Sequence, residues 1–197
     1  MNLVPAKSFD INTVMQIERS AFIPAIQESQ KTFEKRLSAF PEGFLLLQDS
    51  STETVLKNGG AVTAGYFCSE IWNSVPDDDN FFALGHDPEK VHKVTGPVLY
   101  ASSFALFPEY RGRHLAKPFF EESLKSVCGA FPDLKTVILL VNEEWQGAKH
   151  IYESLGFKFL RTIPGFFPSL HKASSDGTLM LCDAAAFREE PSIMRTS

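Results

Sequence analysis

The segment from Phe104 to Ala116 combines residue types that could bind a phosphate group. An apolar strand is predicted to end at Phe107, Pro108 interrupts it, and an amphipathic helix is predicted to begin near His114. The first N–H groups of such a helix have no acceptor inside the helix, and the helix dipole adds partial positive charge at the same end. The turn between strand and helix is therefore a candidate anion site.

Two arginines around a glycine add to this candidate site. Arg111 and Arg113 flank Gly112 and carry full positive charges beside the unpaired amides. Pro118 agrees with a helix start just before it, because proline is tolerated in the first helical turn, where its missing N–H donor is not needed. An ordinary strand-to-helix connection can show the same pattern, so a second motif is needed to distinguish an anion site from such a connection.

The second motif follows an apolar strand predicted over residues 136–141. Ala148 and Tyr152 are four residues apart and share one face of a predicted helix. Gly156 is typical of the position just after a helix end, and Phe157 opens the next strand. The spacing thus puts the phenolic hydroxyl of Tyr152 on the helix that comes directly after the strand predicted over residues 136–141.

Together the two motifs resemble the GCN5-related N-acetyltransferase (GNAT) superfamily, in element order over about residues 3–183. That family carries an (Arg/Gln)-x-x-Gly-x-(Gly/Ala) pyrophosphate turn and an Asn-x-x-Ala-x-x-x-Tyr-x-x-x-Gly-Phe helix. The residues that fit are Arg111, Gly112, Ala116, Ala148, Tyr152, Gly156 and Phe157. His114 stands in place of the central glycine and Trp145 in place of the asparagine, whose bonding role Asn142 could serve.

The resemblance implies an α/β (α+β) fold and acetyl-CoA as co-substrate. It predicts one N-acetyltransferase domain over residues 1–183, with a mixed, mostly antiparallel twisted sheet flanked by helices, and a flexible tail over residues 184–197. Two central strands, ending near Phe107 and Val141, are expected to splay apart and admit pantetheine. The implied cofactor-binding residues are Phe104, Ala105 and Leu106 through main chain, Arg111, Gly112, Arg113, His114, Leu115, Ala116 and Lys117 at the pyrophosphate, and Asn142 and Ala148.

The same resemblance implies catalytic roles. Tyr152 is expected to protonate the leaving thiolate, and the alternative is a core tyrosine with a satisfied hydroxyl. The central strand offers no Glu, Asp or His as a base, although Tyr100 and Ser102 could order water there. Glu70, at the end of the neighbouring strand, is the candidate base, and the alternative is a solvated carboxylate. His86 and His92 are weaker candidates.

A finer resemblance, to the arylalkylamine N-acetyltransferase branch, lies in residues 17–22 and in Glu70-Ile71-Trp72. That branch acetylates aromatic ethylamines, but it usually has two histidines where Tyr100 and Ser102 stand. Phenylalanines near the loops would suit an apolar substrate pocket or simple packing, and they are Phe22, Phe81, Phe82, Phe166 and Phe167.

Composition narrows the class of protein. The chain has 197 residues, 44% of them hydrophobic, with a net charge of −5 and a pI near 5.5. This balance disfavours a nucleic-acid surface and favours a cationic small-molecule partner. Three widely spaced cysteines suit neither disulfides nor a metal site. Without a signal-peptide pattern or a long apolar run, a cytoplasmic protein that binds no membrane is expected; the sequence leaves a homodimer open.

Periodicity and turn residues predict the remaining elements. The predicted helices cover residues 11–22, 32–40, 115–130 and 145–155, and the predicted strands cover 44–47, 62–71, 98–107, 136–141, 157–163 and 178–182. Residues 50–60 and 164–176 are expected to be turns and loops. The long insertion over residues 72–96 carries Asp77, Asp78, Asp79 and Asp87, which are expected to attract a cationic amine to the mouth of the cleft.

The function expected from these patterns is acetyl transfer from acetyl-CoA to a small primary amine. Two alternatives stay open, a protein or peptide N-acetyltransferase and a CoA-binding module without catalysis. A nucleotide-binding P-loop is disfavoured because no Gly-Lys-Ser/Thr follows the turn.

Overall fold

The computed structural model describes residues 1–188 of the chain. Its strands are β1 (Asn2–Pro5), β2 (Phe44–Asp49), β3 (Val62–Trp72), β4 (Val98–Leu106), β5 (Thr136–Asn142), β6 (Lys158–Phe167) and β7 (Ser175–Asp183). Its helices are α1 (Ile11–Ala21), α2 (Gln30–Ala39), α3 (Thr52–Asn58), α4 (Pro88–Val91), α5 (Ala116–Ala130) and α6 (Gln146–Ser154). The strands form a seven-stranded sheet in the order β1-β2-β3-β4-β5-β7-β6.

Only β4 and β5 pair in parallel, and every other neighbouring pair in this sheet is antiparallel. The parallel pairing is short, since it joins Val98–Ala101 to Thr136–Leu139 and no further residues. Beyond Ala101 and Leu139 the two strands continue without pairing each other. This separation confirms the predicted mixed sheet with splayed central strands.

Helices cover both faces of the sheet because its strands alternate their side chains. On β3, Tyr66 joins the core formed with α1 and α2, whereas Phe67 joins the core formed with α5. On α5 the buried residues Phe120, Leu124 and Val127 recur at helical spacing and face the sheet. The central strands are therefore held between two apolar layers.

Several local predictions need correction. Residues 50–60 contain helix α3. Ser51 caps its N-terminus, since the Ser51 side chain accepts the Thr54 N–H, and Gly59, with a φ of 74°, caps its C-terminus. The expected loop over residues 164–176 is shorter, because β6 reaches Phe167 and β7 begins at Ser175. The Ser51 cap accounts for α3, and pairing with β7, as at Phe167 with Ser175, extends β6.

The start of the C-terminal tail also differs from the expectation of flexibility. Residues Ala184–Phe187 form a short 3-10 helix, in which Ala184 and Phe187 are buried against the core beside α5. The rest of the predicted tail, residues 189–197, lies outside the described residues, and the domain boundary at residue 183 stays a prediction. Between residues 1 and 188 no helix combines the length and apolar composition needed to cross a membrane.

Candidate active site

A cavity of about 340 Å³ lies where β4 and β5 separate. Residues from the central strands, from α1 and α2, from the insertion and from the β6–β7 region line it together. The lining includes Glu18, Phe22, Glu28, Arg36, Phe82, His86, Tyr100, Ser102, Ser103, Phe104, Leu139, Trp145, Tyr152, Phe166 and Phe167. The predicted acid, Tyr152, thus shares one cavity with the central strand.

An irregularity in β4 shapes the centre of this cavity. Cys68 pairs with Ser103 while Ser69 pairs with Ala101, so Ser102 is an extra residue in the ladder. Both Ser102 and Ser103 line the cavity. A regular strand would have turned one of the two serines to the opposite face.

The pattern of β-sheet hydrogen bonds shows which backbone groups of β4 face the gap. The Phe107 N–H donates to the Ala64 carbonyl at 2.9 Å, so Phe107 and Ala105 direct their backbone groups to β3. By the same alternation Phe104 and Leu106 face the gap toward β5. The expectation that Ala105 offers main-chain groups to pantetheine is therefore not supported, whereas Phe104 presents an open N–H and C=O.

The candidate anion site predicted in the turn before α5 consists of consecutive backbone amides. The N–H groups from Gly112 to Lys117 have no acceptor among residues 1–188, and the first helical amide to bond is that of Phe119, to the Leu115 carbonyl at 3.0 Å. Gly112 has a φ of 70° and His114 a φ of 58°, so both adopt the left-handed conformation that turns successive amides outward. The helix itself begins at Ala116, two residues after the predicted start.

Arg111 anchors this turn instead of extending into it. Its Nε donates to the Leu106 carbonyl at 3.1 Å and its Nη2 to the Ser20 carbonyl at 3.4 Å, which ties the turn to β4 and to α1. Arg113 lies over the Tyr110 ring at 5.3 Å and is exposed, as is Lys117. A groove of about 510 Å³ runs over the turn and reaches α6, lined by Arg111, Gly112, His114, Leu115, Ala116, Lys117, Pro118, His150, Ile151 and Ser154.

The second motif holds Tyr152 against the core. Its ring packs on Phe120 at 4.9 Å, and Ala148 packs against the same core from α6. The buried Asn142 accepts the Glu144 N–H at 2.9 Å and so shapes the turn that leads into α6. Burial raises the pKa of Tyr152, and among residues 1–188 its hydroxyl has no hydrogen-bond partner. The phenol is therefore protonated at neutral pH and free to donate.

The environment of Glu70 suits neither a base that reaches the substrate nor a solvated carboxylate. Its side chain is fully buried, does not line the cavity, and accepts from Trp72 Nε1 at 3.1 Å, His86 Nε2 at 2.9 Å and Arg36 Nε at 3.3 Å. Burial raises the pKa of Glu70, but the His86 hydrogen bond and the Arg36 charge outweigh it, so the pKa is lowered overall. Glu70 instead positions the cavity-lining residues His86 and Arg36.

The two histidines considered from the sequence are also engaged. In His86, Nε2 contacts Glu70 and Nδ1 lies 3.2 Å from the Ala83 carbonyl, so neither ring nitrogen is left for a substrate. His92 accepts the Ile71 N–H at 3.1 Å and stacks on Phe40, away from the main cavity.

Glu18 is the carboxylate that sequence reasoning missed. It lies on α1, is 1% exposed and lines the cavity. It accepts the Glu28 N–H at 2.8 Å and the Tyr66 hydroxyl, and burial raises its pKa despite these hydrogen bonds. Its position on the same helical face as Val14 was the signal in the sequence, because a glutamate on an apolar face needs a partner or a function.

A chain of hydroxyls connects Glu18 to the central strand. The Tyr66 hydroxyl donates to Glu18, so its oxygen accepts from the Ser103 hydroxyl at 2.8 Å. The remaining lone pairs of Ser103 are then available to a donor in the cavity. This arrangement can carry a proton from the centre of the cavity to a carboxylate with a raised pKa.

Aromatic side chains form part of the cavity wall. Trp145 lies 5.5 Å from Phe22 and 5.6 Å from Phe167, so it joins α1 to β6 where the related motif has asparagine. Phe82 and Phe166 also line the cavity, whereas Phe81 is 42% exposed and does not. The wall is therefore suited to an apolar or aromatic group.

The acidic residues of the insertion do not surround the cleft as predicted. Asp78 caps a 3-10 turn, Asp79 pairs with Arg161, and Asp87 pairs with Lys35 at 2.8 Å. None of the four aspartates lines the cavity. A cap and two ion pairs use the charges of Asp78, Asp79 and Asp87, and the insertion contributes Phe82 and His86 to the cavity instead.

Searches of protein-family models and of curated protein sequences find no match to this chain. Solved structures do match it. The loading GNATL domain of CurA from Lyngbya majuscula has a TM-score of 0.74 at 15% identity and covers 93% of this chain and 98% of its own. The GphF GNAT-like decarboxylase with isobutyryl-CoA has a TM-score of 0.71 at 13% identity, covering 93% and 100%.

A third solved structure, Arabidopsis thaliana NAA60 in complex with acetyl-CoA, has a TM-score of 0.66 at 19% identity and covers 92% of this chain and 97% of its own. Identities this low show the fold alone. The chain therefore has the GNAT fold, as the two sequence motifs predicted.

Proposed function

We propose that this protein is an N-acetyltransferase that transfers acetyl from acetyl-CoA to a small primary amine. The observation that carries the proposal is a single cavity, at the separation of β4 and β5, that joins a buried carboxylate relay to a protonated Tyr152. A proton acceptor for the amine and a proton donor for the thiolate are the two groups that this reaction needs.

In this proposal the cofactor lies between the separated strands and over the turn before α5. The open N–H and C=O of Phe104 would pair with a pantetheine amide, as a neighbouring strand would. The amides of residues 112–117 would receive the pyrophosphate, and the exposed Arg113 and Lys117 would add charge. NAA60, which has the same fold, was solved with acetyl-CoA.

The amine enters as an ammonium ion and must lose a proton before it can attack. Its N–H donates to Ser103, whose hydroxyl proton passes to Tyr66 as the Tyr66 proton passes to Glu18. The neutral nitrogen then forms a bond to the thioester carbonyl carbon, and the carbon–sulfur bond breaks. Tyr152 gives its proton to the departing sulfur. The second proton that the nitrogen loses as the amide forms restores the Tyr152 hydroxyl, so every proton transfer ends on a named group.

The shape of the cavity favours a small acceptor over a peptide. Trp145 packs on Phe22 and Phe167, and these three rings and Phe82 all line the cavity. Such aromatic side chains offer few partners to the backbone groups of an extended peptide. The presence of both Glu18 and Tyr152 in the cavity argues against a module that only binds CoA.

The proposal is tested with purified protein, acetyl-CoA and a panel of acceptors, by measuring the free thiol of CoA. We expect thiol release that depends on phenethylamine or similar small amines and exceeds release with short peptides. Faster thiol release with peptides would reject the small-molecule acceptor and support a peptide N-acetyltransferase. CoA binding without amine-dependent thiol release would reject catalysis and support a module that only binds CoA.

A further inference from the structure

Arg36 brings a buried positive charge to the cavity that Tyr152 also lines. It extends from α2, is 2% exposed and lines the cavity. Its Nε bonds to Glu70 at 3.3 Å and its Nη2 to Glu28 at 2.9 Å, but its buried Nη1 has no partner among residues 1–188. A buried donor left unpaired is rare and costs free energy, so a ligand atom is its natural partner.

A second unpaired polar atom lines the same cavity. The buried Oγ of Ser102, the extra residue of β4, also has no hydrogen-bond partner within residues 1–188. Tyr100, which lines the same cavity, packs on Trp72 at 4.4 Å and on Phe82 at 5.4 Å. Two unsatisfied polar groups in this cavity indicate where a ligand carries its own polar groups.

The charges around Arg36 decide which kind of oxygen fits. Burial lowers the pKa of Arg36, but Glu28 and Glu70 outweigh it and keep the guanidinium protonated. These two carboxylates already compensate the positive charge, so a third carboxylate would meet net repulsion. A neutral oxygen can accept from Nη1 without adding negative charge.

We propose that the acceptor amine carries a neutral amide carbonyl on its aromatic or apolar body, and that Arg36 Nη1 donates to this oxygen. The inference rests on the proposed function and specifies its substrate class.

Three probes of matched shape test the inference: phenethylamine, 4-(2-aminoethyl)benzamide and 4-(2-aminoethyl)benzoate. We expect the kcat/KM of the wild-type protein for the benzamide to exceed that for phenethylamine roughly 10-fold or more, the scale of a hydrogen bond to a charged group. The benzoate should fall below phenethylamine. A benzamide-to-phenethylamine ratio near one, or a preference for the benzoate, would overturn the inference.

The variant Arg36→Lys keeps the positive charge between Glu28 and Glu70 but loses the planar guanidinium. We expect the benzamide-to-phenethylamine ratio to fall to near one, whereas the exposed Arg19→Lys control should keep the wild-type ratio. An unchanged ratio in Arg36→Lys would overturn the inference. The ratio in the wild-type protein decides the matter if Arg36→Lys does not fold.

Binding separates this inference from the proposed function. If none of the three amines is acetylated, the proposed function fails, and calorimetry with CoA present still compares the probes as ligands. Tighter binding of the benzamide than of phenethylamine, lost in Arg36→Lys, would support the Arg36 contact alone. Equal binding of both probes would reject it.

Discussion

The cofactor end and the acceptor end of the cleft differ in the groups that form them, which are backbone amides at one end and buried side chains at the other. The cofactor end is a run of backbone amides, Gly112 to Lys117, that have no acceptor among residues 1–188 and lie on one continuous segment. The acceptor end consists of buried side chains from separate elements, with Glu18 on α1, Arg36 on α2 and Ser103 on β4. Backbone amides survive most substitutions, whereas each buried side chain is needed for its own chemistry. The acceptor end should therefore be far more sensitive to mutation.

The largest effect is expected from Glu18→Gln, which keeps the shape of the side chain and removes the proton acceptor. The kcat for a small amine should fall by roughly 10²–10⁴-fold, the range of general base catalysis. CoA affinity, measured by calorimetry, should be unchanged because Glu18 belongs to the acceptor end.

The pH profile gives a separate check of Glu18. Its pKa is raised, and the base must be deprotonated, so kcat/KM of the wild-type protein should fall as pH decreases through that raised pKa. The variant should lose this acidic limb. A variant with the same limb would assign the base to another group.

Tyr152→Phe keeps the ring against Phe120 and removes the hydroxyl proton. We expect kcat to fall by about 10²-fold, since the thiolate would leave without a proton. CoA affinity and thermal stability should change little. Turnover near that of the wild-type protein would show that Tyr152 packs in the core without acting as the general acid.

At the cofactor end, Arg111→Ala removes the hydrogen bonds to the Leu106 and Ser20 carbonyls. CoA affinity should fall roughly tenfold, the scale of one charge-assisted hydrogen bond, because the turn loses its anchor. Lys125→Ala, on the helix α5 that follows the turn and paired with Glu121 and Glu122, is the control and should bind CoA normally. Equal affinities in both variants would show that the amides hold their positions without Arg111.

The smallest effect is expected from His114→Gly. His114 has a φ of 58°, which costs a residue with a side chain roughly 1 kcal/mol, so glycine should raise the free energy of unfolding slightly, by no more than about that amount. CoA affinity should be retained, since the amide stays. Arg113→Gly is the control; its φ is not positive, so glycine there should destabilise the protein. A loss of CoA binding in His114→Gly would show that the imidazole itself contacts the cofactor.

Hydroxyl and carboxylate chemistry at the acceptor end could be predicted only in part. Tyr152 is predicted as the candidate acid because its spacing to Ala148 and Gly156 lies within one helix and the turn that ends it. Glu70 was chosen because it ends a strand next to the cleft, but packing surrounds it with His86, Arg36 and Trp72. A residue's place along a strand does not reveal how many donors the tertiary structure brings to it.

The sequence by itself determined what depends on neighbouring residues: the amphipathic helices, the alternating strands, the amide-rich turn before α5 and the helix that carries Tyr152. Only the tertiary structure decided the relay from Ser103 through Tyr66 to Glu18, whose bonds join residues 37 and 48 positions apart. Those bonds exist because the pairing of β3 with β4 puts Ser103 on the same face of the sheet as Tyr66, while α1 packs over that face and brings Glu18 to it. Local sequence fixes backbone geometry over a few residues, whereas contacts between distant side chains are fixed by the register and packing of the whole sheet.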